Sequence, residues 1–201
     1  DRAPLVGLAA AVAAVEACSE VAGVDVGLKW PNDVVVESGG AGGGGVFGKL
    51  AGLLAESLVE GDAVGAVVVG MGLNLTRTPE PPEAAFVDPG ATGAVYLEDL
   101  AGRPVERDDL LGSWLVHLDR WCSTLSSPGG GQAVVDAYRQ RSVTLGRLVR
   151  VDLTGEAVEG TAVDLTAEGH LVVMTTSGAR HIVAAGDVVH LRAKPATGAT
   201  P

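Results

Sequence analysis

The sequence predicts an α+β protein in which helices pack on a mixed or antiparallel β-sheet and a small β-barrel follows. Three observations support this prediction. An apolar run at helical spacing opens the chain, Val-rich segments between residues 24 and 75 have strand character, and five short strand-like segments occupy residues 146–191. A length of 201 residues suits one medium domain, or one domain with a small appendage.

Composition indicates a globular protein whose core is made mainly of Val, Leu and Ala. Apolar residues make up 47% of the chain and aromatic residues 3%, and the formal charge of −11 argues against a broad nucleic-acid-binding face. Cys18 and Cys122 lie far apart without metal-ligand spacing, which favours a reducing, cytoplasmic setting over a disulfide framework. The apolar run at 5–15 is too short to span a bilayer, so we expect no membrane association.

The first elements alternate between helix and strand. Apolar spacing predicts a helix from Pro4 to about Ala22. Residues 24–28 and 34–36 are predicted as short strands around a corner that contains Pro31, because proline suits a turn or a strand edge. The glycine-rich segment 37–48 is predicted to be a mobile loop, since glycine has high backbone entropy to lose on ordering.

The next segment permits two interpretations. Leucines at 50–59 have helical spacing, but only Glu60-Gly61-Asp62 separates them from the Val-rich strand 63–75, which favours an antiparallel hairpin. Residues 76–91 contain four of the ten prolines and are predicted to be irregular. Thr92 is predicted to cap a short helix that ends at Leu100.

The remainder of the chain changes from helix to strand. Amphipathic patterns predict helices at 106–125 and 132–141. Turn signals then separate five predicted strands at 147–153, 157–165, 170–175, 181–184 and 188–191. We expect a catalytic part at 1–144, a barrel at 145–193 and a disordered tail at 194–201.

Two neighbouring segments concentrate chemically useful side chains. Lys29-Trp30-Pro31-Asn32-Asp33 and Gly48-Lys49-Leu50-Ala51-Gly52 set a carboxylate, an amide and two cations beside strand-like flanks. A site that handles a phosphate and an amine needs such groups held on rigid elements. We therefore expect the Lys49 ammonium and the Asp33 carboxylate to lie side by side in one cleft.

Other site types have weaker support in the sequence. Gly43, Gly48 and Lys49 match most of the pattern G-x-x-x-x-G-K-[ST], but Leu50 lacks the hydroxyl that would hold Mg²⁺. A nucleotide hydrolase of that type is therefore not favoured. No metal site is predicted, because ligand spacing is absent among the four histidines, His117, His170, His181 and His190.

Three strings together resemble one family. K-W-P-N-D at 29–33, G-K-L-A-G-L-L at 48–54 and V-V-V-G-M-G-L-N-L at 67–75, followed by a small barrel, are similar to biotin protein ligases. The resemblance implies a class II synthetase-like catalytic fold and a C-terminal SH3-like barrel. It also implies that biotin and ATP, with Mg²⁺, form biotinyl-5′-adenylate, and that biotin then passes to a lysine of a carboxyl-carrier domain.

The resemblance assigns roles by position. Lys49 matches the lysine that contacts the biotin carboxylate and the phosphate, and Asp33 matches the aspartate that receives a proton during transfer. The other matched positions are Asn32 and Asn74 near the adenine or ribose, the slot walls Gly52, Leu54, Gly70 and Gly72, and the motif members Lys29 and Trp30 as further contacts.

Each of these positions also has a structural interpretation. Lys49 could be an exposed loop lysine, Asp33 could bond turn amides, and Asn32 could be a turn residue. The glycines could serve strand packing, Trp30 could be core, and Lys29 could screen the acidic surroundings. Sequence alone leaves both interpretations open.

One part of the family pattern is not found in the sequence. The family's Arg/Gly-rich loop that clasps biotin and adenylate lies upstream of the helix that begins here near Pro4. We therefore expect an N-terminally truncated ligase with weak or no activity in these residues alone.

The resemblance also bears on partners and alternatives. It implies a carboxyl-carrier domain of a biotin-dependent carboxylase as partner, without nucleic acid or membrane, and it allows a homodimer. Two alternatives remain open: a lipoate or octanoyl transferase of the same fold, and a non-catalytic module that binds a carrier protein.

Overall fold

The computed structural model describes residues 2–38, 46–61, 63–77, 91–153 and 156–190. Most of the predicted glycine-rich loop and of the proline-rich connection, and all of the predicted tail, lie outside these ranges. Both described ends of the predicted loop belong to strands rather than to a loop, because residues 37–38 pair with residues 46–47 and Gly48 pairs with Val36.

The chain begins with the predicted helix. Helix α1, Ala3–Ala17, continues through a π-helical turn, Cys18–Ala22, and ends at Gly23, whose φ of 68° suits glycine. The helical stretch of 20 residues has a mean hydropathy of 1.7, so by length and composition it could cross a membrane, which the shorter run at 5–15 did not suggest. Burial explains the composition instead, because 61% of the apolar window is buried against the rest of the protein.

The first sheet is mixed, as predicted. Strands β1 (Gly27–Lys29), β2 (Asp33–Ser38), β3 (Val46–Glu60) and β4 (Ala63–Leu73) are antiparallel neighbours in chain order. Strand β5 (Ala91–Ala94) joins β3 in parallel. Consecutive antiparallel strands need only short turns, which accounts for the close spacing of β1 to β4 in the sequence.

The structure decides between the two interpretations of residues 50–59. They are extended, because β3 pairs with β4 in a long hairpin whose turn includes Gly61 at a φ of 63°. Cross-strand pairing therefore overrides the helical spacing of the leucines. The predicted helix cap at Thr92 is wrong: Thr92 belongs to β5, and helix α2, Leu97–Ala101, begins after Tyr96.

Two longer helices complete the helical layer. They are α3 (Arg107–Ser126) and α4 (Gly130–Arg141), close to the predicted ranges, and both pack on α1. The indole N–H of Trp114 donates to the Ala10 carbonyl at 3.1 Å, which satisfies a polar group inside this apolar layer. With α1 also against β3 and β4, the main core lies between the helices and one face of the first sheet.

The five predicted C-terminal strands are present and form one antiparallel sheet. They are β6 (Leu148–Leu153), β7 (Glu156–Leu165), β8 (Leu171–Met174), β9 (Arg180–Val183) and β10 (Asp187–His190), in the spatial order β10-β6-β7-β8-β9. Within the described residues no pairing joins β9 to β10. The sheet is therefore open there, and the predicted closed barrel is not confirmed.

Trp30 connects the two sheets. Its backbone N–H donates to the Thr144 hydroxyl at 3.0 Å, and its indole N–H donates to the Gly169 carbonyl at 3.0 Å. The side chain is 2% exposed and precedes a cis peptide bond to Pro31. The corner between β1 and β2 is thereby fixed against the C-terminal sheet.

Replacing Trp30 by Phe should measure this connection. The Gly169 carbonyl would lose its buried donor while most of the apolar contact remains, so we expect the free energy of unfolding to fall by about 1–3 kcal/mol. Urea unfolding of the intact protein measures the change. Val116→Ala, at a side chain 70% exposed on α3, is the control and should have little effect. An equal effect of both substitutions would contradict a structural role for the indole bond.

Candidate functional site

A row of paired residues crosses the first sheet. Lys29 pairs with Asp33, Asp33 with Gly52, and Gly52 with Gly72. Directly opposed residues of antiparallel strands point to the same face of a sheet, so these four residues share one face. Ala51, the neighbour of Gly52, belongs to the core that faces the helices, and the row therefore lies on the face turned away from them.

A β-bulge in β3 brings Lys49 to that face. The consecutive residues 34–35 of β2 pair with Ala51 and Lys49, so Leu50 is an extra residue in β3. In a regular strand, residues three apart such as 49 and 52 point to opposite faces. The extra residue shifts the alternation by one position and places Lys49 on the side of Asp33, which is a known use of bulges near functional sites.

Lys49 and Asp33 form an ion pair. The Lys49 Nζ lies 2.5 Å from Asp33 Oδ1, and the two side chains are 20% and 14% exposed. The predicted side-by-side position of the two groups is confirmed. Lys49 is a half-buried strand residue rather than an exposed loop lysine, and at this burial the attraction is screened less than in a surface pair.

Gly52 leaves space beside this pair. A Cβ at Gly52 would lie 3.3 Å from Lys49 Nζ and 3.5 Å from Asp33 Oδ1. The absence of a side chain therefore keeps the ion pair open on one side. A ligand could approach the ammonium through this opening.

The wall residues named from the sequence extend this opening along the hairpin. Leu54 pairs with Gly70 two residues beyond the Gly52–Gly72 pair, so all four lie on one face. Added Cβ atoms at Gly70 and Gly72 would meet nothing within 4 Å, and Leu54 is 61% exposed. Together with Gly52 they form an exposed strip of the sheet surface that leads to the ion pair, and we call this strip the slot.

The two asparagines bond to the backbone of β3. Asn32 Nδ2 donates to the Leu53 carbonyl at 2.7 Å, and the Leu53 N–H returns a bond to the Asn32 carbonyl at 2.9 Å. Asn74 Nδ2 donates to the Lys49 carbonyl at 3.1 Å, and its own N–H donates to the Leu50 carbonyl at 2.9 Å. Both side-chain amides hold strands in place, and their Oδ1 atoms remain as acceptors. Asn32 does lie in the turn between β1 and β2, but its amide bonds to β3.

The last two predicted residues differ in position. Lys29 lies in the row and is 6% exposed, and burial lowers its pKa while the Asp33 charge opposes that shift. Trp30, by contrast, is used in the core between the two sheets and does not line the slot. The core interpretation of Trp30 therefore describes its position.

His190 lies beside this site and was not singled out from the sequence. Its Nε2 is 3.3 Å from the Thr144 hydroxyl, and its ring meets the edge of the Phe47 ring at a centroid distance of 4.9 Å. Burial lowers the pKa of His190 to about 4, and the positive charges of Lys29 and Arg147 add to the shift. The imidazole is therefore neutral at pH 7. Because His190 lies more than a hundred positions from Lys29 and Phe47 in the chain, local sequence carries no signal for these interactions.

Elsewhere in the described structure, side chains that lie close together give weaker support for a functional site. A cleft of about 940 Å³ at the β1 edge is lined by Glu16, Glu20, His117 and Arg141, which largely pair with one another. Among the described residues no group of three or more His, Cys, Asp or Glu side chains is placed to hold a metal ion. We therefore assign the site to the Lys49–Asp33 pair and its slot.

Comparison with known proteins shows which families this chain is similar to. Residues 144–191 match the family model for the biotin protein ligase C-terminal domain. Over 189 residues the chain is 36% identical to the biotin--[acetyl-CoA-carboxylase] ligase of Mycobacterium tuberculosis. The chain is therefore similar to a biotin ligase over most of its own length. The K-W-P-N-D and G-K-L-A-G strings contain Asp33 and Lys49.

Coverage sets how far this relationship extends. The alignment includes 92% of this chain but only 62% of the Mycobacterium tuberculosis protein. A 32% identical ligase of Paracoccus denitrificans is covered over 61% of its length, so this chain spans about three fifths of these relatives. Biotin protein ligase from Aquifex aeolicus, solved with biotin and ATP, superposes with a TM-score of 0.72 at 20% identity. That superposition covers 96% of this chain and 73% of the other, and it shows a shared fold.

The neutral state of His190 predicts a pH-dependent stability. Its folded pKa of about 4 lies below the ordinary value of 6.5, so the unfolded chain binds more protons between these pH values. Stability from this residue is complete above about pH 6.5 and declines as the pH falls towards 4, by at most about 2 kcal/mol at pH 5.

Urea unfolding at pH 7.5 and pH 5 measures this decline. His190→Gln should lose less stability on acidification than the unchanged protein, because the substituted side chain does not titrate. His181→Gln, at an exposed position on β9, is the matched control and should keep the full decline. An unchanged decline in the His190→Gln protein would contradict the assignment.

Proposed function

We propose that this protein activates biotin with ATP as biotinyl-5′-adenylate and transfers the biotinyl group to a lysine of a carboxyl-carrier domain. The observation that carries the proposal is the Lys49–Asp33 ion pair at the end of an open, glycine-walled slot. Relatives named as biotin ligases, and a fold shared with a ligase solved with biotin and ATP, support it.

In the first step a biotin carboxylate oxygen attacks the α-phosphorus of ATP. An O–P bond forms, the bond from the α-phosphorus to the bridging oxygen breaks, and pyrophosphate leaves. The Lys49 ammonium would stabilise the negative charge that accumulates on the phosphoryl oxygens. Its position on strand β3 fixes its backbone beforehand, which lowers the cost of alignment. Mg²⁺ would come with the nucleotide and neutralise polyphosphate charge.

In the second step the acceptor lysine attacks the acyl carbon of the adenylate. A C–N bond forms, the acyl C–O bond to AMP breaks, and AMP leaves. The attacking amine must lose a proton, and the Asp33 carboxylate is the base beside the reacting centre. Its position at the start of β2, on the open face, leaves it within reach of a carrier domain that approaches from solvent.

The slot would hold the rest of the adenylate. Gly52, Gly70 and Gly72 leave room on the sheet surface, and Leu54 supplies an apolar wall. The Oδ1 atoms of Asn32 and Asn74 can accept hydrogen bonds from the ribose or adenine, since their amide nitrogens already bond to β3. These roles follow from the resemblance and fit the open face.

We further propose a division of labour along the chain. Residues 1–144 would form the catalytic part and residues 145–193 an SH3-like C-terminal domain, in agreement with the family match at 144–191. The partner would be the carboxyl-carrier domain of a biotin-dependent carboxylase in the cytoplasm. A homodimer remains a prediction.

Two substitutions in the intact protein separate the two steps. Lys49→Ala should abolish biotin-dependent ATP–pyrophosphate exchange, a loss of about 100-fold or more for a charge-stabilising group. Asp33→Asn should slow transfer from preformed biotinyl-5′-adenylate to a carrier domain by roughly 100-fold, with a smaller effect on exchange.

Controls make this comparison decisive. Arg180→Ala, at an exposed position on β9, should leave both steps unchanged. An Asp33→Asn protein that loses both steps equally would contradict the base role. Exchange supported by lipoate and not by biotin in the unchanged protein would reject biotin as substrate in favour of a lipoate transferase.

Gly52 gives an independent test of the slot. A valine there should keep the strand intact, since β-branched residues suit strands, but its side chain would occupy the space beside Lys49 and Asp33. We expect adenylate formation to fall about tenfold or more while the melting temperature changes little. Gly112→Ala is the control, because it adds a methyl group on α3 where no atom lies within 4 Å of the new Cβ. Unchanged adenylate formation in the Gly52→Val protein would exclude this slot.

A further inference from the structure

Lys29 is a second cation in the row that contains Asp33. It is the last residue of β1 and pairs directly with Asp33, so both side chains project from the same face with Cβ atoms typically about 5 Å apart. Lys29 is 6% exposed, whereas Lys49 is 20% exposed. A lysine this deeply buried requires partners that offset the loss of hydration.

Charged and titratable groups from several elements face Lys29. Burial is the largest cause of its lowered pKa; Asp33 and Asp187 oppose this shift and Lys49 adds to it. On β10, His190 also feels the Lys29 charge. Lys29 therefore interacts electrostatically with the Asp33 carboxylate and with side chains of β10.

On helix α4 the group that interacts electrostatically with Asp33 is a phenol rather than a further cation. Buried Tyr138 on α4 donates its hydroxyl to the Pro31 carbonyl at 3.3 Å. Burial, followed by the Asp33 charge, raises the pKa of Tyr138, so the phenol is neutral. Asp33 is thus placed among Lys49, Lys29 and a neutral phenol.

In the proposed reaction a substrate phosphate competes with Asp33 for Lys49. The ammonium lies 2.5 Å from Asp33 Oδ1, and a phosphate that draws Lys49 towards itself weakens this contact. When Lys49 turns to the phosphate, Asp33 would face a phosphate anion without its closest counter-charge. A carboxylate in that position favours its protonated form, which cannot serve as a base.

We propose that Lys29 is a positioning residue that keeps Asp33 ionised and correctly oriented when Lys49 contacts the substrate phosphate. The inference rests on the proposed function and deepens it, because it gives the C-terminal strand β10 a part in the transfer step. The Asp187 charge on β10 favours the Lys29 ammonium, so the C-terminal sheet contributes to the charge balance beside Asp33.

The first measurement needs no activity. The Asp33 carboxyl group is titrated by ¹³C NMR in intact Lys49→Met protein, which mimics departure of Lys49, with Asp33→Asn used to assign the signal. Adding Lys29→Met should raise the titration midpoint by about one pH unit or more, whereas adding Lys29→Arg should leave it nearly unchanged. Equal midpoints with and without the Lys29 charge would overturn the proposal.

The second measurement uses the reaction. In protein with native Lys49, Lys29→Met should slow transfer from preformed biotinyl-5′-adenylate about tenfold at pH 6 and less at pH 8. Without the positive charge of Lys29, acid would protonate Asp33 more readily than in the unchanged protein. Lys29→Arg should restore the profile. Thr144→Val removes the hydroxyl between Trp30 and His190 without a charge change, and should lower stability without moving the acid limb.

The outcomes separate the two proposals. An acid limb that moves equally in the Thr144→Val and Lys29→Met proteins would reduce Lys29 to a packing role and overturn the inference. An NMR shift together with a complete lack of biotin or lipoate adenylation in the unchanged protein would reject the proposed function, while the charge relation between Lys29 and Asp33 would stand.

Discussion

The candidate site depends on one irregularity in the backbone of β3. The extra residue at Leu50 allows Lys49 and Gly52, which a regular strand would direct to opposite faces, to share the face of Asp33. The same shift lets Leu50 remain fully buried on the helical side of the sheet. A cation for the open face and an apolar side chain for the core are therefore supplied by adjacent residues.

The two asparagines give this irregularity a physical basis. A bulge disrupts the ladder locally and leaves backbone groups that need other partners. Asn74 provides two donors, its side-chain amide to the Lys49 carbonyl and its N–H to the Leu50 carbonyl. On the other side, Asn32 and Leu53 exchange two bonds and fix the start of β2. The amides are thus needed for the position of Lys49 and Asp33, whatever they contact in a ligand.

Much of the fold was predictable because it follows from local patterns. Helix α1, the corner at Pro31 and the five C-terminal strands have apolar periodicities and turn residues that act over short ranges. The hairpin of β3 and β4 could be proposed from its short link, but spacing alone left a helix open. The place of Thr92 in β5 could not be predicted, since that strand exists through parallel pairing with β3.

The residues of the site could be predicted from the sequence, whereas their spatial arrangement could be predicted only in part. The two segments identified Lys49 and Asp33, yet the bulge that aligns them has no signature in residue types. The core position of Trp30 depends on Gly169, and the environment of Lys29 depends on β10. These contacts join residues more than a hundred positions apart, for which a single sequence carries no pairing information.

The electrostatics of the site therefore extend into the C-terminal sheet. Lys29 and Arg147 both lower the pKa of His190, and the Arg147 guanidinium lies 4.8 Å from the centroid of the Phe47 ring while pairing with Glu37 at 2.7 Å. A second positive charge on the imidazole would lie close to a lysine that has already lost its hydration. Because His190 is neutral, it adds no repulsion to the buried Lys29 ammonium, which is paired with Asp33 in the row. For this reason the side chains of β10 belong to the electrostatic environment of the site.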